Sequence, residues 1–206
     1  MFPDLLRNKT VNPRETWDAV LARLNVAQHS EFKEIGHGSM GHAFLFPKEN
    51  KVLKISEDFS EANAMVLVMK NPCSAIVSVH DVFRLRARKG YPPLFFIYQD
   101  FLSKKIKKHW KDFINLLSIE IEGDRNYINQ GLFDKVCLNE RYFKNKNHKE
   151  HFAWLQTFCT FLDQNRIKFK DLHEGNVLAS NNDTGIAAID IGYCKCEKQK
   201  IDFLKI

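Results

Sequence analysis

The sequence predicts an α+β fold in which a small antiparallel sheet comes first and a mainly helical part follows. Residues 31–102 contain short alternating or continuous apolar stretches, separated by Gly, Pro and Asn turns, with one helical stretch among them. From residue 103 onward the apolar residues recur at helical spacing. We therefore expect an N-terminal helical extension over residues 1–30, a sheet lobe over 31–102 and a helical lobe over 103–206.

Composition narrows the class of protein. The chain has 206 residues, and 44% of them are apolar, which is enough to fill a core. No apolar run reaches the ~18 residues that cross a bilayer, and the N-terminus lacks the layout of a signal peptide. The five cysteines are an odd number and form no CxxC pair, as expected of reduced thiols. We expect a cytoplasmic protein without a membrane partner.

The net charge of +6 is concentrated in three basic clusters. They consist of Arg84, Arg86, Arg88 and Lys89; of Lys104, Lys105, Lys107, Lys108 and Lys111; and of Arg141, Lys144, Lys146 and Lys149. Direct nucleic-acid binding is one interpretation, but no nucleic-acid motif accompanies the charge. Solvated helix faces and attraction of a nucleotide are the favoured interpretation.

The elements of the first half follow from local patterns. A helix opens at Pro13 with Asn12 as its cap, and its apolar stripe from Trp17 to Leu24 is expected to pack on the back of the sheet. The predicted strands cover 31–35, a stretch ending at 46, 51–55, 76–85 and 94–100. A helix is predicted over 56–70, capped by Asp58 or Ser60.

The second half is predicted to be helical around one late hairpin. The expected helices cover 104–118 and 149–165, and the polar region 119–147 contains short helical pieces. His151 is expected to be an ordinary packing or surface histidine. Strands over 177–180 and 186–189 form a hairpin.

A glycine-rich turn lies between the first two predicted strands. Gly36, Gly38 and Gly41 form a G-x-G-x-x-G pattern, and Lys54 follows on the third strand. The pattern alone is weak evidence, but its position between two strands argues against a dinucleotide-binding βα unit. Glycines allow backbone to approach phosphate, and a strand lysine can neutralise phosphate oxygens.

A lysine in this role needs a carboxylate to hold it. The helix predicted over 56–70 carries two candidates, Glu61 as the first choice and Glu57 as the second. Either acid could instead simply stabilise the positive end of the helix dipole.

The chemistry-bearing stretch comes late in the chain. Asp171 is followed five residues later by Asn176, and Asp190 follows fourteen residues after that. This order is typical of a phosphoryl-transfer site, where one Asp orients the attacking hydroxyl. Asn and Asp oxygens are hard ligands that suit Mg²⁺ or Mn²⁺, so Asn176 and Asp190 are the candidate metal ligands. The alternative is a loop with a solvated Asp and a turn-forming Asn.

Taken together in this order, these motifs resemble the protein-kinase-like superfamily. The resemblance covers residues 31 to 192, and two segments, 32–38 and 171–176, are most similar to early serine/threonine kinases of tailed bacteriophages. The Asp171–Asn176 stretch is also similar to aminoglycoside phosphotransferases. The resemblance implies a bilobal kinase-like fold with a small sheet lobe and a reduced, mainly helical C-lobe, binding ATP and Mg²⁺ (or Mn²⁺) in the cleft between them. Adenine would then contact the backbone of residues 99–102.

The resemblance also implies roles for individual residues. Asp171, Lys54 and Glu61 are the expected catalytic residues, and the expected ATP-binding residues are Gly36, Gly38, Ser39, Gly41, Lys54, Asn176 and Asp190. Ser39 is in addition a candidate for autophosphorylation. The expected activity is transfer of the γ-phosphate to Ser/Thr hydroxyls of host proteins, with a small-molecule kinase and a kinase-shaped binding protein as alternatives.

Three departures from the family pattern bear on the substrate. Phe169-Lys170 stands where many relatives have His-Arg, His173 replaces a lysine, and Ile191 replaces a Phe. Only sixteen residues follow Asp190, so the usual peptide-binding segments are not expected in this chain. Substrate recognition would then fall to the N-terminal helix, residues 119–147, a second subunit or residues that are not in this chain.

Overall fold

A computed structural model describes residues 13–38, 41–85, 92–102, 105–124, 127–143, 146–180, 185–192, 194–196 and 204–205. The helices in these ranges are α1 (Pro13–Arg23), α2 (Phe59–Lys70), α3 (Lys108–Asp124), α4 (Gln130–Leu138) and α5 (His148–Gln164), with 3₁₀ turns at Glu140–Tyr142 and Glu174–Asn176. The strands are β1 (Lys33–Gly38), β2 (Gly41–Phe46), β3 (Lys51–Ser56), β4 (Val79–Leu85), β5 (Leu94–Asp100), β6 (Ile167–Lys168), β7 (Val177–Ala179), β8 (Ile186–Ala188), β9 (Lys195–Cys196) and β10 (Leu204–Lys205).

The main sheet of the described chain has the strand order β1-β2-β3-β5-β4-β10. The first five strands pair antiparallel, which confirms the predicted α+β class and the five predicted strands. The short β10 adds to the edge, parallel to β4, where no strand was predicted. Two further two-stranded sheets, β6-β9 and β7-β8, lie in the second half of the chain.

Helix α1 covers one face of the sheet, as predicted. Trp17, Val20 and Leu21 are buried in one cluster with Phe44, Phe46 and other sheet residues. Arg23 fixes the end of the helix, because its guanidinium donates to Asp81 at 3.0 Å and lies 4.8 Å from the centre of the Phe83 ring. The apolar stripe of α1 therefore serves packing.

The opposite face of the sheet carries the main core. Side chains alternate along β5, so that Phe96 and Tyr98 face α1 while Phe95 and Ile97 join a cluster with α2, α3 and α5. Helix α2 is capped by Asp58, whose side chain accepts from the backbone N–H of Ser60 at 2.7 Å. Of the two proposed caps, Asp58 is the one the structure shows.

Several element boundaries differ from the predicted ones. Helix α3 was expected over 104–118 but runs from Lys108 to Asp124, because Ile121 continues the buried stripe one turn beyond Leu117. Strand β1 includes Gly36 and Gly38, which were expected in a loop, because both pair with β2. The stretch 119–147 was expected to contain short helical pieces, and it contains the end of α3, helix α4 and the 3₁₀ turn at Glu140–Tyr142.

The late hairpin is bonded to the chain that leads into β4. The backbone N–H of Val77 donates to the carbonyl of Ala188 at 2.9 Å, and that of Ala188 donates to the carbonyl of Ala75 at 2.9 Å. These bonds attach β8 to the segment between α2 and β4. The position of Asp190, two residues beyond β8, is thus tied to the main sheet. The predicted boundaries at residues 30 and 102 stay predictions.

Candidate functional site

A cavity of about 400 Å³ lies between the main sheet and the β7–β8 hairpin. The glycine turn, β3 and the end of β5 form one side, and the residues around Asp171, Asn176 and Asp190 form the other. Cavities of this size hold small molecules. The cavity therefore brings together sequence motifs that lie more than a hundred residues apart.

The glycine turn is tightly built at only one of its glycines. A Cβ on Gly41 would lie 2.1 Å from the carbonyl oxygen of Ile55 on the neighbouring strand β3, so this position admits no side chain. A Cβ on Gly36 or Gly38 would meet no atom within 4 Å. All three glycines line the cavity. Ser39, at the tip of the turn, lies outside the described residues.

Lys54 lies on β3 with two carboxylates around its ammonium. Its Nζ pairs with Glu61 of α2, and it donates to Asp190 Oδ2 at 2.6 Å. The Glu61 side chain is buried, and its second oxygen, Oε2, accepts from the Ser56 hydroxyl at 2.9 Å. Of the two acids considered as the partner of Lys54, Glu61 is the one in contact. The first turn of α2 and the end of β3 together fix the lysine.

Charge coupling changes the titration of this group of side chains. Burial alone lowers the pKa of the Lys54 ammonium, but the charges of Glu61 and Asp190 outweigh it and raise that pKa above its ordinary value. Burial raises the pKa of Glu61 to about 7, against the opposing charge of Lys54 and with a smaller contribution from Asp190. Lys54 therefore stays a cation at neutral pH.

The loop carrying Asp171 is closed by Asn176. The amide nitrogen of Asn176 donates to the backbone carbonyl of Asp171 at 3.0 Å and lies 3.5 Å from its Oδ2. The backbone carbonyl of Asn176 accepts from Ile189 N–H at 2.9 Å, which joins the loop to the strand leading into Asp190. Because the amide nitrogen is used inside the loop, the Oδ1 of Asn176 is the atom left to bind a cation.

Asp190 is oriented by the backbone that follows it. Its Oδ1 accepts from Gly192 N–H at 2.9 Å, while its Oδ2 faces Lys54. A Cβ on Gly192 would lie 2.9 Å from Asp190 Oδ1, so a side chain there would disturb the carboxylate. The motif Asp-Ile-Gly thus sets the direction of the acid.

The residues present fit a nucleotide with a divalent cation. Among the residues that line the cavity, Asp190 and Asn176 offer side-chain oxygens that suit Mg²⁺ or Mn²⁺, and Lys54 offers an ammonium that suits phosphate. Among the described residues, no group of three or more His, Cys, Asp or Glu side chains could hold a metal by itself. A divalent ion at this site would therefore depend on the amide oxygen and on ligands from a bound phosphate.

Two features near the cavity were not predicted from the sequence. Gln99 lines the cavity and is buried, although only the backbone of residues 99–102 was considered for binding. Asp100, the next residue, contacts Lys51, and its Oδ1 lies 2.7 Å from His80 Nε2. The available signal was the pair of polar residues, Gln99 and Asp100, that ends the apolar run of β5.

Other candidate groups serve packing. His151 is buried and stacks on Phe113 with ring centres 4.5 Å apart, and its Nε2 lies 2.9 Å from His109 Nδ1. This confirms the interpretation of a packing histidine. Cys194 is buried and its thiol donates to the carbonyl of Ser60 at 3.3 Å, which holds the chain after Asp190 against α2.

Nothing in the described helices could span a membrane: none combines the required length with sufficient apolar character.

The basic clusters lie only partly within the described residues. Lys111, from the second cluster, pairs with Glu174 beside the Asp171 loop at 3.1 Å. Arg141, from the third cluster, pairs with Glu120.

Comparisons with known proteins found similar solved structures but no sequence relatives. No protein-family model matches the chain, and no curated protein matches its sequence. Among solved structures it is similar to the kinase PK-1 of Cydia pomonella granulovirus, with 14% sequence identity and a TM-score of 0.46. The match covers 93% of this chain and 63% of that chain, so this chain spans less than two thirds of the length of the matched structure.

Proposed function

We propose that this chain is an ATP-dependent, kinase-like phosphotransferase that transfers the γ-phosphate to Ser/Thr hydroxyls of proteins. One observation carries the proposal. The Lys54 ammonium is held by Glu61 and Asp190 inside a cavity whose opposite side carries Asp171 and Asn176. A lysine, an asparagine and two aspartates in one cavity are the groups that phosphoryl transfer requires.

Lys54 is the proposed anchor for phosphate oxygens. Its charge is secured by two carboxylates, so it remains positive over the physiological range. Glu61 contacts the lysine from helix α2, and Asp190 contacts it from the segment that follows the β7–β8 hairpin. Gly36, Gly38 and Gly41 line the same cavity and carry no side chain, which lets backbone N–H groups approach phosphate.

Asn176 and Asp190 are the proposed ligands for Mg²⁺ or Mn²⁺. A bound divalent ion supplies positive charge that neutralises phosphate oxygens during transfer. The Asn176 amide is oriented by its bond to the Asp171 carbonyl, and the Asp190 carboxylate by Gly192 N–H. Both candidate ligands are therefore oriented by backbone groups of the chain itself.

Asp171 is the proposed group that orients the acceptor hydroxyl. Its side chain lines the cavity, and Asn176 closes the loop beneath it. A carboxylate there can accept the hydroxyl proton as the oxygen attacks phosphorus. The acceptor class, hydroxyls of host proteins with Ser39 as a candidate autophosphorylation site, rests on the resemblance of segments 32–38 and 171–176 to bacteriophage kinases.

Labelling with [γ-³²P]ATP tests the proposal. The purified chain is incubated with Mg²⁺ and a bacterial lysate, and in parallel with a panel of aminoglycosides and sugars. We expect labelled protein bands with the wild-type chain, strong loss with Asp171→Asn, and no loss with Asp112→Asn, which changes an exposed acid of α3 in the same way.

The outcomes separate the acceptor classes. Label on small molecules without labelled protein would move the activity to a small-molecule kinase. If no acceptor is labelled, and Asp190→Ala has the same effect on host cells as the wild type, the chain is a kinase-shaped binding protein instead. Equal labelling by wild type and Asp171→Asn would reject the proposed role of Asp171.

A further inference from the structure

The side chain of Gln99, at the end of β5, lines the cavity and contains a buried amide oxygen without a partner among the described residues. Gln99 is 6% exposed, and its Oε1 has neither solvent contact nor a hydrogen-bond partner among the described residues. Buried polar atoms in folded proteins are nearly always paired, so an unpaired one needs a physical reason. Because Gln99 lines the cavity, a ligand with a suitably placed donor would supply the partner.

The position of Gln99 relative to Lys54 follows from strand geometry. Gln99 pairs across the sheet with Val52, and directly paired side chains lie on the same face. Lys54 is two residues further along β3, so it faces the same side at a distance of about 6–7 Å along the strand. The unpaired amide is therefore one side chain removed from the proposed phosphate anchor, in the same cavity.

Several apolar side chains line the cavity that Gln99 also lines. Val52, Leu102, Leu178 and Ile189 line the cavity together with it. Apolar walls with one converging polar group suit a flat heteroaromatic ring, and the polar group then fixes its orientation. This end of the cavity fits a nucleobase, while the end at Lys54 and Asp190 fits phosphate.

We propose that the Gln99 side chain reads the base of the nucleotide by accepting a hydrogen bond from the 6-amino group of a purine. This inference rests on the proposed phosphotransferase function. An amide carries one acceptor and one donor side by side, which match the 6-amino group of adenine and its neighbouring ring nitrogen. A 6-oxo purine placed in the same way would bring two acceptors, its own oxygen and Oε1, against each other.

The proposal predicts selectivity that depends on one side chain. The test measures the binding of ATP, purine riboside triphosphate (which lacks the 6-amino group) and inosine triphosphate (which carries a 6-oxo group) to three proteins. These are the wild type, Gln99→Met and Gln156→Met. Met has a similar length but neither an amide N–H nor a carbonyl oxygen, and Gln156 is exposed on α5, so its variant controls for the substitution itself.

The wild type and Gln156→Met should bind ATP at least about tenfold more tightly than either analogue, because the analogues leave Oε1 unpaired. In Gln99→Met this preference for ATP should fall by at least about fivefold, because only backbone contacts to the base remain. The variant should fold, because the Oε1 that it loses bonds to none of the described residues; thermal unfolding of all three proteins checks this.

Failure of the inference and failure of the proposed function give different results. If nucleotides bind but the wild type shows no preference, or the preference survives in Gln99→Met, the role of Gln99 is overturned and the phosphotransferase proposal stands. If none of the triphosphates binds any of the proteins with Mg²⁺ present, the proposed function fails and the inference fails with it.

Discussion

Lys54 and Asp190 are separated by 136 positions in the chain, and their side chains meet at 2.6 Å. The lysine belongs to the third strand of the sheet, whereas the aspartate follows the late hairpin. Glu61 completes the contact from α2. One cation therefore connects three distant elements, and its removal should affect both the stability and the chemistry of the protein.

Replacing Lys54 tests both effects. In Lys54→Met, Glu61 is left buried without its cation, and breaking such a pair costs about 3–5 kcal/mol of unfolding free energy. Phosphoryl transfer should fall by roughly 10²–10³-fold, as expected when a charged group that stabilises the transition state is lost. Urea unfolding and ATP turnover measure the two quantities.

The double variant Lys54→Met/Glu61→Gln separates these effects. It removes the unpaired buried charge, so most of the stability should return, while transfer stays low because the phosphate anchor is still missing. Lys70→Met, at the exposed end of α2, should change neither quantity. Near-normal turnover by Lys54→Met would contradict the proposed role of the lysine.

The raised pKa of Glu61 predicts a specific pH dependence of stability. Because burial raises its pKa from 4.5 to about 7, the folded protein retains a proton that the unfolded chain has released between these values. The contribution of Glu61 to stability is thus highest below pH 4.5 and falls by about 3 kcal/mol as pH rises to 7. The raised pKa of Lys54 acts only at alkaline pH, outside this window.

Comparison of the wild type with Glu61→Gln isolates this contribution. Urea unfolding of both proteins is measured from pH 4 to 8, and the stability of the wild type relative to the variant should decline across the window. Other titrating groups cancel in the difference to first order. A relative stability that is flat, or that rises with pH, would show that Glu61 does not hold a raised pKa.

Much of the fold could be predicted because local patterns and packing agree. The strand-turn-strand order up to β3, the apolar run of β5 and the stripe of α5 each indicate one structure, and the structure shows those elements. The predicted end of α3 was wrong by six residues, because burial of Ile121 extends the helix by another turn and more. The edge strand β10 depends on a pairing distant in sequence, which no local pattern reveals.

Part of the candidate site could be predicted from the sequence for a similar reason. Asp171 and Asn176 are joined by a local bond within one loop, and such spacing is visible in a sequence. The choice of Glu61 over Glu57 required the geometry of α2 relative to β3. Gln99 was missed as a side chain, because burial of its amide oxygen next to a cavity is a property of the tertiary structure.

His151 predicts an acid-sensitive core in the helical part. Burial, together with the neighbouring His109 and His148, lowers its pKa to about 4, so it is neutral in the folded protein. The unfolded chain takes up a proton below pH 6.5, and the stabilising contribution is therefore complete above 6.5 and lost as pH falls towards 4. The loss should reach about 3 kcal/mol.

The matched variants for this prediction are His151→Phe and His29→Phe. The first keeps a ring against Phe113 and Trp110 but cannot titrate, whereas the second changes an exposed histidine. Chemical unfolding between pH 4 and 7 should show a weaker pH dependence for His151→Phe only. Identical slopes for the wild type and His151→Phe would remove His151 as the source of acid sensitivity.

Gly41 and Gly36 line the same cavity, but an added methyl group should destabilise the protein at Gly41 and leave its stability nearly unchanged at Gly36. In Gly41→Ala the new Cβ would lie 2.1 Å from the Ile55 carbonyl oxygen, so β2 must move away from β3 near Lys54. Such overpacking typically costs about 1–3 kcal/mol, and displacement of the turn should also lower phosphoryl transfer. In Gly36→Ala the Cβ meets no atom within 4 Å, so stability should stay within about 0.5 kcal/mol of the wild type. Thermal unfolding and ATP turnover of the pair decide the matter: equal stability of the two variants would mean that the close approach of Gly41 to Ile55 is absent in solution.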